Sequence, residues 1–66
     1  MRIEVNGQLQ DRPNGMNVAE LLAGLSLEPR RVAVELNEQI VPRANYAQTR
    51  LNDDDKVEIV TFVGGG

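Results

Sequence analysis

Cysteine and histidine are both missing from this 66-residue chain. Without cysteine there is no disulfide, no thiolate metal site and no thiol nucleophile. Without histidine there is no Ser-His or Cys-His pair and no side chain suited to proton transfer near neutral pH. An ordinary side-chain enzyme is therefore not expected, and neither is a bound metal. Tryptophan is also absent, and with a single Phe and a single Tyr the core has to come from Val, Leu and Ile. Basic charge is sparse: seven Lys and Arg stand against ten Asp and Glu, for a net charge of −3. Those basic residues are scattered and form no stripe, which argues against a nucleic-acid partner. Long apolar runs are lacking as well. The opening "MRIEVNGQ" carries charges at Arg2 and Glu4, so it reads as neither a signal peptide nor a membrane span, and cytoplasmic residence is the expectation.

What is present suffices for one small domain. Hydrophobic residues make up 41% of the chain, and 66 residues lie near the lower size at which a single core folds without a disulfide or metal. A monomer is the simpler expectation. In "RIEVNGQLQD", Ile3 and Val5 alternate with Arg2 and Glu4 ahead of Asn6-Gly7, and Leu9 follows on the return. Asn and Gly accept the positive φ of a two-residue turn, so residues 2 to 11 read as a hairpin closed by the turn residues Pro13, Asn14 and Gly15. From Asn17 the period changes. Val18, Leu21, Leu22 and Leu25 fall at i, i+3, i+4 and i+7, the apolar stripe of a helix, with Asn17 as cap and Glu20 completing a capping box. Gly24 weakens the last turn, and Glu28-Pro29 stops continuation.

Period two returns in "RVAVELNEQIVP", with Val32, Val34 and Leu36 opposed to Ala33 and Glu35. An Asn37-Glu38 turn leads there to a short strand ending at Pro42. Residues 43 to 55 have no clean period and read as irregular chain with one helical turn around Ala44 to Ala47, Tyr46 being a satellite core residue with a wet hydroxyl. The last strand, 56 to 63, sets Val57, Ile59 and Thr61 against Val60 and Phe62. One amphipathic helix packed across one face of a mixed, four- to five-stranded sheet buries these stripes, giving an α+β domain over residues 1 to 63.

Residues 64 to 66 are glycines, half of the six in the chain. Glycine loses the most backbone entropy on ordering, so a flexible tail reaching roughly 10 Å past the last strand is expected. A tail without side chains suits a terminal carboxylate that must thread a narrow channel in another protein. A frayed end or an expression remnant explains the same three residues. Such a carboxylate becomes a usable acyl donor only after a partner converts it to an acyl-adenylate. Val60 and Phe62, beside the tail and opposite Val57 and Ile59, are candidates for docking on that partner, because one helix can hardly cover both faces of the sheet. Asp53, Asp54 and Asp55 lack calcium-loop spacing and read as turn chemistry. Arg30, Arg31 and Arg43 read as surface charges, Arg43 with the option of meeting an acidic partner surface.

Taken in order, "GMNVAELLAGL" (15 to 25), "VAVELNEQIVPRANY" (32 to 46) and "LNDDDKVEIVTFVGGG" (51 to 66) resemble three segments of the ThiS family of ubiquitin-like β-grasp sulfur carriers. These are its Gly-x-Thr-Val-x-x-Leu-Leu stretch, its Ala-Val-x-x-Asn-x-x-Ile-Val-Pro-Arg-x-x-aromatic stretch, and its Asp-Gly-Asp-x-Val-x-Ile end with terminal Gly-Gly. The departures are Asn17 for the usual Thr, Asp54 for a common Gly, Tyr46 for a frequent Trp, and Gly64 as a third glycine. The resemblance implies a carrier for thiamine thiazole biosynthesis that is not itself an enzyme and binds no cofactor. A ThiF-type adenylyltransferase would use ATP and magnesium to adenylate the Gly66 carboxylate. A persulfide donor would then supply sulfur, and the thiocarboxylate would serve thiazole synthase, the ThiG partner, with Gly64 and Gly65 threading the partner's active site. The small subunit of molybdopterin synthase, a protein-conjugating ubiquitin-like modifier and a plain interaction domain with an inert tail remain alternatives.

Overall fold

The structure is a computed structural model and describes residues 1 to 62. Five strands form one sheet in the order β2-β1-β5-β3-β4. Strand β1 (Arg2–Val5) and β2 (Gln8–Asp11) make the first antiparallel hairpin, and β3 (Val32–Leu36) and β4 (Gln39–Val41) make the second. Strand β5 (Lys56–Thr61) lies between the hairpins, parallel to β1 and antiparallel to β3. The chain therefore threads its last strand into the centre of the sheet, leaving β2 and β4 as edges.

Helix α1 (Val18–Gly24) packs on one face of this sheet. The capping box is in place, with the Glu20 amide donating to Asn17 Oδ1 at 2.8 Å and the Asn17 amide to Glu20 Oε1 at 2.9 Å. At the other end the Leu27 amide donates to the Leu22 carbonyl and the Ser26 amide to the Ala23 carbonyl, the paired bonds of a Schellman stop. Its left-handed residue is Ser26, at φ 59°. Gly24 closes the last helical turn, and the reversal itself falls two residues further on.

Val18, Leu21 and Leu22 are buried and meet Ile3, Val5, Val32, Val34, Val41, Leu51, Val57 and Ile59 in one core. Tyr46 belongs to that core, which corrects the reading of a satellite residue with a wet hydroxyl. It is 4% exposed and its buried hydroxyl donates to the Val32 carbonyl at 3.5 Å. The segment holding it is a 3-10 helix over Arg43–Gln48, longer than the single turn expected. This helix packs beside α1, where the burial of Tyr46 offsets its poorer hydrogen bonds. A second 3-10 turn, Pro29–Arg31, leads into β3.

Both hairpin turns have positive φ at their two central residues: 49° and 82° at Asn6 and Gly7, 51° and 69° at Asn37 and Glu38. Turns of this hand match the twist of the strands they join. In each, the leading Asn also reaches across to β5. Asn37 Oδ1 accepts from the Lys56 amide at 3.0 Å, and Asn6 Oδ1 accepts from the Ile59 amide at 2.7 Å.

Candidate functional site

Among the described residues, no helix packs on the far face of the sheet. Residues directly opposite one another on neighbouring strands share a face, and here Leu9 stands opposite Glu4, Ala33 opposite Val60, and Glu35 opposite both Ile40 and Glu58. On this open face Val60 is 61% exposed and Phe62 55%. Both sequence-derived docking candidates are thus large apolar side chains in solvent at the end of the sheet where β5 finishes. The Phe62 amide still donates to the Arg31 carbonyl at 2.7 Å, which fixes its backbone beside β3. Ala33 borders Val60, and Ile40 lies on the same face near the β4 edge, 75% exposed. Ile40 escaped the sequence reading because "QIV" alternates without saying which side meets the helix. Leu9, 67% exposed, sits on the β2 edge of that face. Val60, Phe62 and Ala33 therefore make an apolar patch where β5 finishes, while Glu35 and Glu58 occupy the row that leads to Ile40 and Glu4 stands between Leu9 and β5.

Gly64, Gly65 and Gly66, expected to thread a partner and to carry the reacting carboxylate, lie outside the described residues, as does Val63.

The Asp run is turn chemistry. Asp53 Oδ1 accepts from the Arg2 amide at 2.6 Å, and Asp55 accepts from the Asn52 amide and from Asn37 Nδ2. Asp54 adopts φ 70°, a left-handed conformation that glycine takes freely and that Asp tolerates. Among the described residues, no three His, Cys, Asp or Glu side chains converge as a metal site would require. Nor is any described helix long and apolar enough to cross a membrane. Arg30, Arg31 and Arg43 are exposed.

Two hairpins holding a central last strand, with one helix across the inner face of the sheet, define the class: a ubiquitin-like β-grasp domain. The sequence places it further. Residues 3–66 match the model of the ThiS family, and the chain belongs to that family. Sulfur carrier protein ThiS of Bacillus subtilis is 37% identical over 65 residues, covering 97% of this chain and 98% of the relative. The crystal structure of a thiamine biosynthesis protein (ThiS) from Geobacter metallireducens superposes with a TM-score of 0.86 at 36% identity, covering all of both chains. A thiazole synthase from Paramagnetospirillum magneticum is 47% identical over 66 residues, and there the chain spans only 20% of the relative's length.

Proposed function

We propose that this chain is a sulfur carrier for the thiazole half of thiamine, a cytoplasmic co-substrate that performs no catalysis of its own. The observation that carries the reading is the full-length match to a protein named as a sulfur carrier, in a chain with neither Cys nor His. A ThiF-type adenylyltransferase, using ATP and magnesium, joins the Gly66 carboxylate to AMP with loss of pyrophosphate, which exchanges a poor leaving group for a good one. The terminal sulfur of a persulfide attacks the acyl carbon and displaces AMP. A thiol then reduces the resulting acyl disulfide and leaves the thiocarboxylate. That group is presented to a thiazole synthase, a partner supported by the thiazole synthases in which a segment matching this chain makes up a fifth of the protein.

Gly64 and Gly65 supply a backbone thin enough for the active-site channels of both partners. Val60 and Phe62 seat the domain at the channel mouth, supported by their exposure beside the end of β5.

Incubating the protein with the adenylyltransferase, ATP, magnesium and a persulfide source is expected to replace one terminal oxygen by sulfur, read by intact mass. A chain carrying one extra residue after Gly66 is expected to fold normally and remain unmodified. An unchanged mass for the natural chain, where an authentic carrier reacts, overturns the reading, and so does sulfur transfer to the extended chain.

A further inference from the structure

Strand β5 outlasts its parallel neighbour. Glu4 registers with Lys56 and Val5 with Val57, after which the β1 chain turns away at Asn6-Gly7. The last backbone bond of that ladder runs from the Asn6 amide to the Val57 carbonyl, 2.9 Å. One rung further the Asn6 side chain takes over. Its Oδ1 accepts from the Ile59 amide at 2.7 Å, and its Nδ2 donates to the Ile59 carbonyl at 3.2 Å. A primary amide presents the same donor and acceptor as a peptide group, so Asn6 stands in for a strand residue that β1 lacks. Past Ile59, among the described residues, no strand pairs with this side of β5. Val60 and Phe62 follow immediately.

We propose that Asn6 is a positioning residue for delivery of the chain end: it holds β5 in line up to Ile59, so that Val60, Phe62 and whatever follows leave the domain in one direction. Without this rung, the strand beyond Val57 is held from the β3 side alone. A partner then meets a wider range of approach directions and has to order them on binding. The cost falls on recognition of the carrier, while turnover of the bound complex is unaffected. This functional consequence rests on the sulfur-carrier reading above.

Asn6 also serves a turn, since its φ of 49° suits Asn, and the experiment has to separate the two roles. Asn6→Gly does so, because glycine takes positive φ freely and lacks the amide. Asn37→Gly is the matched control. It removes an Asn from the other hairpin turn, together with its bonds to Lys56 and Asp55 near the start of β5, and it leaves Ile59 untouched. In steady-state adenylation by the ThiF-type enzyme, Asn6→Gly is expected to raise KM for the carrier by about five- to tenfold, the order of one residue's backbone ordering. Its kcat stays within about twofold, while Asn37→Gly leaves both constants within about twofold. Hydrogen exchange at the Ile59 amide should accelerate in Asn6→Gly alone. An equal rise in KM for both variants, or an unchanged KM in Asn6→Gly, overturns the proposal. If the natural chain is not adenylated at all, the sulfur-carrier reading fails. The positioning role is then judged by backbone amide relaxation at Val60, Thr61 and Phe62. Greater motion there in Asn6→Gly than in Asn37→Gly supports it, and equal motion refutes it.

Discussion

Asn17 and Glu20 satisfy each other's backbone amides at the start of α1, at 2.8 and 2.9 Å. A helix of seven residues has few bonds of its own, so each capped amide weighs heavily in its formation. Asn17→Ala is expected to lower unfolding free energy by about 1 kcal/mol, and Asn17→Thr by a few tenths at most, since Thr also caps. Urea denaturation of the three proteins checks both values. Other short polar side chains act on the backbone in the same way: Asn37 and Asp55 close the turn ahead of β5, and Asp53 meets the Arg2 amide. The exposed ion pair of Arg2 and Asp11, at 3.4 Å, adds little beside them, because water screens it.

The two layers divide the apolar residues into those that hold the fold and those left over. Leu21 and Leu22 are fully buried under the sheet, whereas Ile40 stands 75% exposed on its other side. Leu21→Ala leaves a cavity between α1 and the sheet and is expected to cost about 2 to 5 kcal/mol. Ile40→Ala removes a side chain already in water and should change stability by no more than about 0.5 kcal/mol. Thermal or chemical unfolding of the pair tests the assignment of faces. A comparable loss in both would mean that the open face is packed in solution.

For the molecule as a whole, one face of the sheet holds the core, and under the proposed function the other is the face that meets the partner. Val60→Asp and Phe62→Asp place charge on the open face at the end of β5, where neither side chain belongs to the core. Both variants should retain stability within about 0.5 kcal/mol while raising KM for the carrier in adenylation by about tenfold or more, as truncation of a buried interface residue does. Retained KM in both would show that the partner grips elsewhere. The two measurements together separate a docking defect from a folding defect.

Much of this was legible beforehand, for reasons that are local. Asn6-Gly7, the Asn17–Glu20 box and the i, i+3, i+4 spacing of Val18, Leu21 and Leu22 each act within a few residues, so their outcome hardly depends on the rest of the chain. Tyr46 was misjudged because its burial comes from α1 and the Val32 carbonyl, 14 residues away in sequence. The Asp54 turn kept its shape because Asp tolerates the left-handed conformation that Gly adopts freely.

The sequence by itself determined most of the elements and their apolar stripes. Only the tertiary structure decided that the last strand lies in the centre of the sheet, that Ile40 joins Val60 and Phe62 in solvent, and that the Asn6 amide lengthens a ladder on Ile59, 53 residues away in sequence. Periodicity tells which residues share a face. Which face the single helix covers, and which strand ends lie side by side, follow from how the two hairpins close around β5, and that is a property of pairing between distant segments.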